Sequence, residues 1–255
     1  METEWPRSLV PRGISRQGTA QWQVPDAARP GLMRAIRAEG HQQGFVGGEQ
    51  IKPAPALHSD KPILLIEKGF VSTTAIAASH RQRTFLSIHG PGDLAGEHVL
   101  FGGPTEAYRL AMTAITNGSA WRVDQHRFRK ILDDHPQGWE MLARHEHDRA
   151  AAAEERICLM AGENADRRLA VFLLQLLSHD EPSRLADDQA QRIPLPLSRK
   201  DLAEWVGVSR QTIERVLSVW VQRRLVRTGR RDLVVQDIPG LEKVAGGHPV
   251  SGEAA

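Results

Sequence analysis

Cysteine is nearly absent, with Cys158 standing alone among 255 residues. A single thiol cannot close a disulfide within the chain, hold an iron–sulfur cluster or build a Cys-rich zinc site, so cluster-based redox sensing is excluded within one subunit. Long apolar runs are missing too. None approaches the roughly 20 residues that cross a bilayer, and the N-terminus has no basic segment followed by an apolar one. A cytoplasmic protein without membrane contact is expected. Net charge is only +2, and 40% hydrophobic with 25% charged residues is the balance of a soluble protein, long enough here for two domains. The eleven histidines are scattered. His145 and His147 fall on nearly opposite sides of a helix, so no metal site is expected and solvated polar faces are the default. Glu97, Glu154, Glu155 and the histidines form no nucleophile–base spacing, and Ser198 and Ser209 serve better as helix caps; no catalytic residue and no enzyme activity are expected.

Proline and glycine are absent from Trp139 to Ala161, a stretch rich in Ala, Glu, Arg, Met and Leu. This predicts a helix of more than about 20 residues. Ala150, Ala153, Ile157 and Met160 follow three-four-three spacing on it, a seam of small and apolar residues suited to pairing with a second copy. Packing against the chain's own front half is the alternative for the same face.

The most informative stretch runs from Leu197 to Val235. Ser198-Arg199-Lys200-Asp201 has capping-box form and opens a helix with Leu202, Ala203 and Val206 on its apolar face. Gly207 supplies a tight turn, and Ser209 caps a second helix. Ile213, Val216, Leu217 and Trp220 give that helix a buried side, which turns Arg210, Gln211, Glu214 and Arg215 elsewhere. Arg bonds guanine O6/N7 bidentately and Gln bonds adenine N6/N7, so this helix is equipped to read a major groove. Two β-prone runs around Gly229-Arg230-Arg231-Asp232 read as a wing whose arginines meet phosphate. Ile193 to Val235 holds nine Arg or Lys against four Asp or Glu, a local +5 in a chain of +2. The charge concentrates where a nucleic acid would lie, which an ordinary helical hairpin does not require.

Between Pro62 and Val123 short apolar runs alternate with turn signals: Ile63–Ile66, Thr84–Ile88, Ala111–Ile115 and Ala120–Val123 around Lys68-Gly69, Gly90-Pro91-Gly92-Asp93 and Asn117-Gly118. These predict an all-β antiparallel sandwich or roll. The expected organisation is α+β: a flexible arm (1–29), a jelly-roll-like antiparallel β-roll acting as sensor (30–135), a dimerisation helix (136–163), a winged helix-turn-helix (164–245) and a flexible tail (246–255).

That order resembles the Crp/Fnr family of bacterial transcription regulators over roughly residues 30 to 245. Gly90-Pro91-Gly92-Asp93-Leu94-Ala95-Gly96-Glu97 is similar to the family's turn into its phosphate cassette, and Leu197–Ala203 with Gly207–Ile213 to its DNA-binding signature. The resemblance implies a homodimer on a palindromic double-stranded DNA operator, contact with RNA polymerase, and DNA contacts at Ser198, Arg199, Ser209, Arg210, Gln211, Thr212, Arg215, Arg230 and Arg231. Gln211 stands where many members carry Glu. The ligand site departs from the pattern: Gly96 and Glu97 are present, but Tyr108-Arg109 or Arg109-Leu110 replaces the family's Arg-Ser or Arg-Thr pair. Ala153-Glu154 falls where nucleotide-activated members offer hydroxyls to the base. Losing both contacts, at about 1 to 3 kcal/mol each, predicts no tight binding of cyclic AMP. No cofactor is expected; a conventional ligand-gated switch is the alternative.

Overall fold

The computed structural model describes residues 29–51, 62–77, 83–102, 108–135, 137–177, 190–193, 195–229 and 231–247. Most of the expected arm and tail, and Arg230, lie outside the described residues. The chain forms two compact units, one through Ala153 and one from Glu154.

The first unit contains α1 (Arg29–Glu39), β1 (His41–Phe45), β2 (Gln50–Ile51), β3 (Ile63–Lys68), β4 (Val71–Ala77), β5 (Arg83–His89), β6 (Leu94–Ala95), a 3₁₀-helix (Glu97–Phe101), β7 (Tyr108–Ala114), β8 (Gly118–Val123) and α2 (Gln125–Asp134). The long helix α3 (Gln137–Gly162) begins in this unit. Two four-stranded sheets, ordered β1-β8-β3-β6 and β2-β7-β4-β5, are antiparallel throughout. The period-two alternation of strand β3 explains its unbroken apolar run. Leu64 and Ile66 join Phe45, Val71 and Ala114 in one core. Ile63 and Leu65 turn the other way, toward Leu32 and Ile36 of α1, Phe128 and Leu132 of α2, and Met141 and Leu142 of α3.

The antiparallel roll expected between Pro62 and Val123 is present, and helices that the sequence reading did not name flank it on both sides. Helix α1 offers only Leu32 and Ile36 one turn apart as a signal, and α2 is announced by Asp124, whose carboxylate accepts from the His126 and Arg127 amides at 2.9 Å. Strand β4 was hidden by composition. Its Ser72, Thr73 and Thr74 look like a loop, yet all are buried. The Ser72 hydroxyl donates to the Thr113 carbonyl at 3.1 Å and the Thr74 hydroxyl to the Ala111 carbonyl at 3.3 Å, which removes the cost of burying them.

The second unit holds the rest of α3, α4 (Ala165–Leu177), β9 (Gln191–Arg192), α5 (Arg199–Val206), α6 (Arg210–Gln222), β10 (Val226–Gly229), β11 (Asp232–Val235) and α7 (Ile238–Ala245). Helix α4 packs on α5, α6 and α7 over Leu169, Phe172, Leu173 and Leu176. Strands β10, β11 and β9 make an antiparallel sheet in that order. Gly229 pairs with Asp232, and Arg231 takes φ 57° at the end of this hairpin.

Candidate nucleic-acid interface and the buried carboxylate of the roll

In the second unit the Ser198 hydroxyl accepts from the Asp201 amide at 3.2 Å while the Asp201 carboxylate accepts from the Ser198 amide at 2.7 Å, so the expected capping box is present. Gly207 takes φ 72°, and a Cβ there would overlap the Met160 methyl. Only glycine meets both conditions. Ser209 accepts from the Thr212 amide at 3.1 Å, and the two hydroxyls lie 2.9 Å apart. Ile213, Val216, Leu217 and Trp220 are the buried side of α6, as the spacing predicted.

That burial leaves Arg210, Gln211 and Arg215 exposed on the first turns of a capped helix. Arg210 Nε donates to Glu214 Oε1 at 2.7 Å, a weak surface pair that orients the guanidinium rather than stabilising the helix. Arg199 opens α5 half-buried, its pKa lowered by burial and partly restored by Glu214. A groove of about 400 Å³ runs from Arg199 along Glu214, Ser218 and Val221 to Thr228 on β10. Arg231 is exposed at the hairpin tip. Of the seam residues, Ala150, Ala153 and Ile157 are exposed, Ile157 by 66%, and Met160 is half-buried.

In the first unit the turn before the cassette is locked by the Gly90 amide, which donates to Asp93 Oδ2 at 2.7 Å. Gly96 follows at φ 91°, and a Cβ on it would stand 2.6 Å from the Pro62 carbonyl oxygen. The chain then delivers Glu97 into the interior, where its side chain is 1% exposed. Arg149 Nη1 of α3 donates to Glu97 Oε1, and His145 Nε2 stands 3.6 Å from the same oxygen, beyond hydrogen-bond length. Burial pushes the Glu97 pKa up, but His145 and Arg149 outweigh it and hold the group at about 2. Glu97 Oε2 and both ring nitrogens of His145 have no hydrogen-bond partner among the described residues.

His89, at the end of β5, borders the same group. Its Nε2 lies 3.0 Å from the Thr73 hydroxyl and 2.9 Å from the Ser87 hydroxyl. Burial drives its pKa down to about 4, so the ring is neutral near pH 7. Two histidines expected on solvated faces are thus interior; His147 is exposed, as the opposite-side spacing required.

The other residues considered for a ligand site stand apart. Tyr108 pairs with Ala77 and Arg109 with Ile76. Alternation puts Tyr108 on the face of Met112 and Ala114, which pack into the roll, and Arg109 on the opposite face. Ala153 and Glu154 are exposed. The cation on the cassette carboxylate comes instead from Arg149, 52 positions along the chain. Sequence reasoning missed it, although His145 and Arg149 lie one helical turn apart and so share a face.

Residues 167–244 match the Crp-like helix-turn-helix domain. Over 233 residues the chain is 26% identical to the CRP-like cAMP-activated global transcriptional regulator of Mycobacterium tuberculosis, covering 91% of this chain and 98% of that one. It is 24% identical over 185 residues to the transcriptional activator protein anr of Pseudomonas aeruginosa, covering 72% and 73%. It shares its fold with the c-di-GMP responsive global regulator CLP of Xanthomonas campestris, with a TM-score of 0.65 at 20% identity over 81% of this chain and 98% of that one. Residues 167–244 thus carry a Crp-like helix-turn-helix, and the antiparallel roll, the long helix and that domain follow one another in the order that the resemblance to Crp/Fnr transcription regulators implies.

Proposed function

We propose that this chain is a homodimeric, sequence-specific DNA-binding regulator that reads a palindromic operator and does so without cyclic AMP. The observation that carries the DNA reading is the exposed Arg210, Gln211 and Arg215 face at the capped start of α6, with Arg231 on the neighbouring hairpin. Arg210 and Arg215 read guanine edges, Gln211 an adenine edge, and Arg231 holds phosphate. Ser198, Arg199, Ser209 and Thr212 fix the register against the sugar-phosphate backbone, as residues at helix N-termini do. Arg230, next to Arg231 in the sequence, is assigned the same phosphate role. Ala150, Ala153 and Ile157 pair across the dimer.

Independence from cyclic AMP is supported by the cassette. The Glu97 carboxylate already carries Arg149, and Arg109 lies on the strand face away from the interior. A second reading, an effector of another kind, is favoured by the three unpartnered buried atoms on Glu97 and His145, which suit a small ligand that both donates and accepts hydrogen bonds.

The test is fluorescence anisotropy on a duplex selected from random DNA. Arg210→Ala or Arg215→Ala should cost about 1 to 3 kcal/mol on that duplex and relax preference at one base pair; Arg231→Ala should weaken all sequences alike. Equal loss on selected and random DNA for all three variants refutes the base-reading assignment. Cyclic AMP that tightens operator binding at micromolar concentration refutes the second part.

A further inference from the structure

Two arginines outside the DNA-facing surface bind the last turn of α5, the helix that leads into the helix-turn-helix turn. Arg156, on α3, donates from Nη2 to the Trp205 carbonyl at 3.0 Å and lies 4.4 Å above the Trp205 ring. That ring is stacked with Phe172 of α4 at 4.5 Å. Arg168, on α4, donates to the Met160 carbonyl at 2.6 Å, the Glu163 carbonyl at 2.9 Å and the Val206 carbonyl at 3.3 Å. Trp205, Val206 and Met160 are among the last residues of their helices, where carbonyls lack intrahelical donors and the helix dipole favours a cation. One pair of guanidiniums therefore caps the ends of α3 and α5 together.

This bracing matters because of what sits beside it. Ile157, the exposed apolar residue of the expected dimer seam, follows Arg156 directly, and Gly207 with α6 follows Val206. All of these residues lie in one compact unit. We propose that Arg156 and Arg168 are positioning residues that gear the reading helix α6 to the end of α3, and so set the spacing between half-sites that the dimer accepts. The inference rests on the dimeric DNA-reading function proposed above. A guanidinium suits this role where an ammonium does not, because its planar fork serves several carbonyls at once and stacks on indole. Arg156 stays charged at neutral pH even though burial lowers its pKa to about 10.

Inserting one central base pair moves the half-sites apart by about 3.4 Å and rotates them by about 35°. A rigidly geared dimer pays heavily for that change; a loosened one adapts. The experiment measures binding of the full chain to its selected palindrome, the same palindrome with one base pair inserted, and a single half-site. The wild type should lose at least about tenfold on insertion. Arg168→Met and Arg156→Met should each keep half-site affinity, while their insertion penalty shrinks by at least about fivefold. Arg156→Lys, which keeps charge over the ring, should fall between. A merely structural role would lower affinity for all three duplexes and leave the penalty unchanged, which overturns the inference; circular dichroism identifies a variant that fails to fold, and the other then decides. A wild type that shows no preference for a palindrome over a half-site refutes the dimeric reading itself, and this inference with it.

Discussion

Arg149→Met removes the guanidinium that donates to Glu97 and leaves a carboxylate that is 1% exposed without it. Removing one partner of a fully buried ion pair costs about 3 to 5 kcal/mol. The side chain of Arg149 is 30% exposed, so water partly screens the pair and the lower end applies. The depression of Glu97 from the ordinary 4.5 to about 2 corresponds to about 3 kcal/mol in all, and His145 supplies part of it. An expected loss of about 2 to 3 kcal/mol lowers the melting temperature by roughly 6 to 9 °C at this chain length. The pH dependence gives the sharper check. A carboxyl whose pKa is depressed on folding stabilises the fold above its unfolded value of 4.5, and that contribution is lost as pH falls toward 2. The gap between wild type and Arg149→Met, read from urea unfolding, should therefore be full at pH 7 and close below pH 4.5. Glu97→Gln combined with Arg149→Met removes both charges of this pair, although Glu146 also loses its contact with Arg149, and should recover at least half of the loss. A single-variant cost below about 1 kcal/mol, or a double variant no more stable than the single, refutes the claim that the pair exists to hold a buried anion.

Two other perturbations test the local arguments. His89 has a folded pKa near 4 against an ordinary 6.5, so it should withdraw about 3 kcal/mol of stability as pH falls from 6.5 to 4; His89→Gln should flatten the urea midpoint in that window, and an unchanged slope would contradict the burial argument. Gly207→Ala forces a Cβ into a left-handed position and against the Met160 methyl, at an expected cost of about 1 to 3 kcal/mol by calorimetry. Adding Met160→Ala should return only the steric share; a neutral Gly207→Ala would mean the turn relaxes freely.

What could be read from the sequence followed from how far apart the deciding residues lie. The capping box spans Ser198 to Asp201, the apolar side of α6 repeats within Ile213 to Trp220, and α3 is announced by a run without proline or glycine. Each is fixed by neighbours within a turn or two, where propensity and period operate. Strand β4 was illegible because its serine and threonine hydroxyls are satisfied by a strand about 40 residues away. The surroundings of Glu97 were illegible for the same reason: His89, His145 and Arg149 come from β5 and α3, and only the folded roll makes them neighbours. The strand register, undecidable from residues alone, follows from the pairing of β7 with β4, which sends Arg109 outward.

The arrangement around Glu97 also bears on what kind of effector the roll would accept. A ligand that claims the carboxylate must first displace Arg149, and with about 2 to 3 kcal/mol held in that contact its apparent affinity falls by about 30- to 150-fold. A cyclic phosphate would arrive with no arginine from β7 turned inward to receive it, and its own charge would be repelled by Glu97. A neutral ligand that leaves the Arg149 contact intact and bonds Glu97 Oε2 and the His145 ring escapes both penalties. On the function proposed above, a screen of the purified chain by thermal shift should rank neutral hydrogen-bonding molecules above nucleotides. Nucleotides at the head of that ranking would mean that Arg149 yields its place readily, and the Arg149→Met variant would then bind them no more tightly than wild type.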